Sequence, residues 1–102
     1  MATGKKRILI VDADEQALIR LERALEDSNF ATTTTWDASE AARLLQSSAY
    51  DMVVIGDHPV IRATDLLAHL NPEEAQCFVL PSDAAFAATC LDRVHRAAPR
   101  IR

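Results

Sequence analysis

Three carboxylates stand just past the ends of two apolar runs. Asp12 and Asp14 follow Arg7-Ile8-Leu9-Ile10-Val11, and Asp57 follows Asp51-Met52-Val53-Val54-Ile55-Gly56. Runs of this kind read as buried parallel strands. In an open α/β sheet, ligands and chemistry collect beyond the carboxyl ends of the strands, near the point where strand order reverses. Carboxylates placed there suit a hard cation or a phosphoryl acceptor. Two neighbours weigh against a working cluster, because Ala13 and Gly56 occupy places where such a site needs charge.

The elements that must position these residues alternate between strand-like and helix-like segments, the pattern of a parallel sheet covered on both faces. The first strand spans about Arg7 to Val11. The helix after it has Asp14 as its cap and Ala17, Leu18, Leu21, Ala24 and Leu25 at three- and four-residue intervals. Asn29 suits a left-handed turn position. Phe30 to Thr35 forms a second strand whose four threonines favour a sheet edge. Asp37-Ala38-Ser39-Glu40 has the capping-box pattern, and the helix it opens runs to about Ser47 with Ala41, Ala42, Leu44 and Leu45 inward.

Met52 to Ile55 is continuously apolar, hence central, and Pro59 ends its pairing. A helix from Ala63 to Leu70 stops at Asn71-Pro72, and Gln76 to Leu80 forms the fourth strand. Pro81-Ser82-Asp83 breaks that strand and caps a last helix from about Ala84 to Ala97, with Phe86, Cys90, Leu91 and Val94 inward. The 102 residues make one domain, 1–102, with a flexible N-terminus at 1–5 and a tail at 98–102.

Composition removes several classes of function. Apolar residues at 49% and charged residues at 25% are those of a folded globular chain. A net charge of -4 with scattered basic residues speaks against nucleic acid and anionic lipid as direct partners. The start, Met1-Ala2-Thr3-Gly4 and then basic residues, leads into an apolar run too short for a signal peptide or a membrane span, so a cytoplasmic location is expected. Cys77 and Cys90 follow no Cys-x-x-Cys spacing and read as reduced packing thiols. With His58, His69 and His95 they give no paired zinc-ligand spacing. Two glycines in the whole chain exclude a GxGxxG fingerprint and a P-loop.

In order and spacing, these elements resemble the receiver domain of bacterial response regulators, the chemotaxis-receiver-like kind. The matching residues are Ile8-Leu9-Ile10-Val11-Asp12, Asn29-Phe30-Ala31, Trp36-Asp37-Ala38-Ser39-Glu40-Ala41, Tyr50-Asp51-Met52-Val53-Val54-Ile55, Asp65-Leu66-Leu67 and Phe78-Val79-Leu80. The resemblance covers roughly Lys6 to Ser82. It implies a flavodoxin-like three-layer α/β sandwich with a parallel sheet, here truncated to four strands in the order 2-1-3-4, with helices on both faces. Phe78 to Pro81 followed by Leu91-Asp92-Arg93-Val94 also matches the family's fifth strand and final helix. The distance from Gly56 favours the fourth-strand reading.

The chemistry the resemblance implies uses two adjacent acids for Mg²⁺, an Asp that becomes an acyl phosphate, a hydroxyl and a lysine. Carried onto this chain, the first acid is Asp12, the second position is Ala13 and the acceptor position is Gly56. The hydroxyl position is Pro81, with Ser82 one place later, and both lysines, Lys5 and Lys6, stand at the wrong end of the chain. The expectation is a degenerate receiver, not an enzyme, with no cofactor beyond a weak Mg²⁺ site at Asp12 and Asp14. Its partner would be a protein: a histidine kinase, an output domain, another regulator or a second copy of itself. The alternatives are a receiver phosphorylated on Asp57, with Asp12 and Asp14 holding the metal, and a structural or oligomerisation domain of a larger regulator. The Asp57 alternative needs two register shifts, and a one-residue slip turns a strand side chain to the other face. Trp36, His58 and Ser82 are the candidate contact residues, although packing over the sheet end is the simpler expectation for Trp36 and solvation for His58.

Overall fold

A computed structural model describes residues 5–58, 61–70 and 75–100. The order of elements is β1 (Lys6–Val11), α1 (Glu15–Asp27), β2 (Phe30–Thr35), α2 (Ala38–Ser47), β3 (Met52–Asp57), α3 (Ala63–Leu67), β4 (Gln76–Pro81) and α4 (Phe86–Ala97). The four strands form one parallel sheet in the order β2-β1-β3-β4. The architecture is therefore the flavodoxin-like sandwich expected from the sequence, with the threonine-rich strand at an edge and β1 and β3 in the centre.

Strand alternation divides the core in two. Ile8, Ile10, Met52, Val54 and Leu80 point to one face and pack under α1 and α4. Leu9, Val11, Val53 and Ile55 point to the other, with Ala41 of α2 and Ala63 and Leu66 of α3. Each fully buried Ile, Leu or Val of these layers contributes about 1.5–3 kcal/mol of transfer free energy. Of the inward stripe expected on α2, only Ala41 is fully buried, since Ala42, Leu44 and Leu45 are half-covered at the margin of their layer. Leu91 is likewise half-covered.

Local signals act where the sequence places them. Asp14 accepts hydrogen bonds from the N–H groups of Gln16 (3.0 Å) and Ala17 (3.4 Å), satisfying free donors of the first turn of α1. Asn29 has φ of 68°, the left-handed conformation that reverses the chain into β2. Asp37 caps α2 through the Ser39 N–H at 2.8 Å, without the reciprocal Glu40 bond of a full capping box.

Several boundaries differ from expectation. β3 runs two residues further, because Gly56 and Asp57 pair with Leu80 and Pro81. Pro81 belongs to β4 instead of breaking it, for a reason visible in the ladder. Gln76 N–H donates to the Asp51 carbonyl (3.1 Å) and Ser82 N–H to the Asp57 carbonyl (3.3 Å), so even-numbered residues aim their backbone groups at β3. Pro81 is odd-numbered, and its missing N–H falls on the free edge where no bond is lost. α3 ends at Leu67 and gives way to tighter turns, His69 N–H to the Leu66 carbonyl and Leu70 N–H to the Leu67 carbonyl. α4 begins two residues later than expected because Asp83 first closes a turn, its side chain accepting from the Ala85 N–H at 2.9 Å and its carbonyl from the Phe86 N–H. Ala98–Arg100 is a 3₁₀ turn, a helix end where a tail was expected.

Asn71-Pro72, Pro59, residues 1–4 of the expected flexible start and residues 101–102 of the expected tail lie outside the described residues.

Candidate functional site

By strand parity Asp12 follows Ile8 and Ile10 onto the α1/α4 face, and Gly56 follows Met52 and Val54 onto the same face. Asp12 is a buried carboxylate, 1% exposed. Its Oδ1 accepts a hydrogen bond from Ser82 Oγ at 2.5 Å and its Oδ2 accepts from the Asp14 N–H at 3.2 Å. The Asp12 N–H donates to the Thr35 carbonyl (3.2 Å), tying the end of β1 to that of β2.

Gly56 lies against this carboxylate. A Cβ placed on it would overlap Asp12 Oδ1 and come within 3.0 Å of Asp12 Cγ and 3.1 Å of Phe86 Cε1. The volume that a side chain at position 56 needs is filled by Asp12, with the Phe86 ring closing it. Cys90, one turn along α4 from Phe86, is also fully buried. Its thiol is pushed up to about 12, first by burial and then by the negative charge of Asp12. Burial alone raises Cys77.

The expected acidic trio is thus placed in two separate settings. Asp14 is exposed and its side chain is occupied as the cap of α1. Asp57 is exposed at the end of β3 on the other face of the sheet, where it lines an open cleft of about 510 Å³ with His58, Arg62, Ala63 and Thr64. His58 donates its N–H to the Ile61 carbonyl at 3.1 Å, which shapes the loop above that cleft. Ala13 is exposed.

Ser82 stands apart from the expectation of a surface contact, because it is half-buried and directed at Asp12. Counting by twos along β4 from Phe78 through Leu80 arrives at Ser82, so strand parity held the signal that places it beside Asp12. Sequence reasoning also missed Phe86 and Cys90 as the lid over this carboxylate, since their helix could not be assigned to a sheet face. Trp36 is 58% exposed.

The residues present do not fit a magnesium ion. Mg²⁺ takes six oxygen ligands in near-octahedral geometry, and bound sites supply it with one or more free carboxylates. Here both oxygens of Asp12 are engaged by protein donors, Asp14 caps a helix and Ala13 has no donor. No group of three His, Cys, Asp or Glu side chains able to hold a metal occurs among the described residues. Among them also, no helix is long and apolar enough to cross a membrane.

No family model matches the chain. No curated protein matches it either. Among solved structures it is similar to the signal receiver domain of an HD domain-containing protein from Pseudomonas fluorescens Pf-5. The two are 22% identical, with a TM-score of 0.57 over 98% of this chain and 95% of that one. A four-stranded parallel sheet in the order 2-1-3-4, with an aspartate at the end of its first strand, and this likeness together give the chain the fold of a signal receiver domain.

Proposed function

We propose that this chain is a response-regulator receiver domain of the degenerate kind, which signals by protein contact and not through an acyl phosphate. The observation that carries the reading is the contact between Asp12 and Gly56. The position corresponding to a phosphoryl acceptor has no side chain, and the space for one is taken by a carboxylate already held by Ser82. A carboxylate that must be repelled or rebuilt before an anionic phosphate can approach opposes phosphoryl transfer electrostatically as well as sterically. Asp57 supports the same reading, because it faces a different cleft from the one that Asp12 fills. The chain would act as a binding module without enzymatic turnover, and its partner would be a kinase, an output domain or another regulator.

The test is titration of the ¹⁵N-labelled chain with acetyl phosphate or beryllofluoride in the presence of Mg²⁺. The amide signals of Asp12, Gly56, Asp57 and Ser82 should stay in place. Saturable shifts at these positions, or a phosphorylated species in mass spectrometry that disappears in Asp57→Asn, would overturn the reading.

A further inference from the structure

The outer edge of β4 bears no paired strand among the described residues. Because Gln76 and Ser82 aim their backbone groups at β3, the alternate residues Cys77 and Val79 present N–H and C=O groups outward. Val79 is 43% exposed, and none of the residues Cys77, Phe78, Val79 and Leu80 carries a charge. An uncharged apolar edge of this kind is a template for a further strand.

Topology limits where that strand can come from. The units β1-α1-β2, β2-α2-β3 and β3-α3-β4 share one hand: α1 lies on one face for the step towards β2, and α2 and α3 lie on the opposite face for the steps towards β4. The last helix, α4, returns to the α1 face. A parallel strand joined after α4 could reach the far side of β4 only by a crossover of the opposite hand, which occurs in about 2% of such connections. A parallel strand joined directly through α4 is thereby disfavoured at this edge, which leaves it open to a strand supplied by another chain.

Charge indicates the chemistry of that strand. On the α4 side, Arg93 and Arg96 line a cleft of about 350 Å³ with Gln76, Phe78 and Ala97, and the Arg93 guanidinium lies 5.9 Å from the centre of the Phe78 ring. Asp92 pairs with Arg96 at 3.2 Å in an exposed setting where such pairs are weak. The opposite edge, β2, offers no comparable field: its groove is lined by Lys5 and Arg7 but also by Glu22 and Glu26, beside threonines. Side chains of a strand added to β4 would alternate between the arginine cleft on one face and the apolar surface of Cys77 and Val79 on the other.

We propose that the β4 edge takes up one extended segment of a partner protein in which acidic and apolar residues alternate, the acidic ones meeting Arg93 and Arg96. The inference rests on the reading of the chain as a contact module and assigns the contact to this edge. The probe is a short capped peptide alternating glutamate and valine, with a lysine-for-glutamate version as control, added to the ¹⁵N-labelled chain. The glutamate peptide protects the Cys77 and Val79 amides from hydrogen exchange. The double variant Arg93→Glu/Arg96→Glu, its fold checked from the same spectrum, binds it roughly tenfold or more weakly.

Equal binding of the lysine peptide, protection at β2 instead, or no protection at Cys77 and Val79 would each overturn the proposal. So would a dimer in sedimentation whose formation by itself protects these two amides, since the occupant would then be a second copy. The acetyl phosphate titration reads the Asp12 pocket independently. Shifts there with edge binding intact would remove the phosphorylation-independent reading alone, and a silent pocket with a silent edge would remove the docking site alone.

Discussion

Ser82 Oγ and Asp12 Oδ1, seventy positions apart in sequence, share a 2.5 Å hydrogen bond across the carboxyl end of the sheet. The bond joins the loop after β4 to the loop after β1, over the glycine that ends the buried part of β3. A buried carboxylate is tolerated only when donors replace its hydration, and this one has two: the serine hydroxyl and the Asp14 N–H.

Replacing that hydroxyl tests the account directly. Ser82→Ala leaves Asp12 buried with one donor and should lower the unfolding free energy by about 1.5–3 kcal/mol, the range for a hydrogen bond to a charged group. Urea denaturation of the two proteins measures it. An unchanged midpoint would mean that water or another group satisfies Asp12 equally well.

Gly56 and Asp12 should be energetically coupled. Gly56→Ala forces a methyl group into the Asp12 carboxylate and the Phe86 ring and should destabilise by about 1–3 kcal/mol. In an Asp12→Ala background most of that clash is gone, so the same substitution should cost less, with a coupling of at least about 0.5 kcal/mol in the double-mutant cycle. Additive effects would show that the glycine is there for some other reason.

Cys90 sets an alkaline limit. Its thiol titrates at about 12 in the fold against 9.0 for the free group, so the unfolded chain releases this proton first as pH rises. The resulting stability is intact below pH 9 and is lost between about 9 and 12, at no more than about 1.4 kcal/mol per pH unit. Thermal melts between pH 8 and 11 should steepen downward in the native chain and flatten in Cys90→Ala. Below pH 9 the native thiol should also resist alkylation until the protein unfolds.

Thr32 offers a gain in stability. Its Oγ1 is buried and has no hydrogen-bond partner among the described residues. Thr32→Val exchanges that hydroxyl for a methyl group of nearly the same shape on a strand position that favours β-branching, and should raise stability by about 1 kcal/mol. A rise in the thermal midpoint verifies it, and a fall would reveal an ordered water on the hydroxyl.

Much of the fold was legible because the signals were local. The continuous apolar runs of β1 and β3, the polar β-branched residues of β2, the caps at Asp14 and Asp37 and the left-handed turn at Asn29 each act within a few residues of themselves. What escaped depended on which face an element takes. Ser82 meets Asp12 because β4 starts its alternation from Gln76, and Phe86 and Cys90 roof the carboxylate because α4 crosses to the α1 side. The parity of Ser82 lies within β4 itself, but the side of the sheet that α4 takes is not a property of any short window of residues. Asp57 was grouped with Asp12 and Asp14 by their places after the strands, although the two-residue period of β3 sets Asp57 on the face opposite Gly56.

Pro81 limits how far a ladder could grow along the outer side of β4, which pairs with no strand among the described residues. Its ring removes the third donor that the outer side of β4 would present after Cys77 and Val79, so a ladder begun at this margin runs out within a few residues. A strand taken up there as proposed would be brief, and the margin lacks the length to nucleate stacked, fibre-like growth.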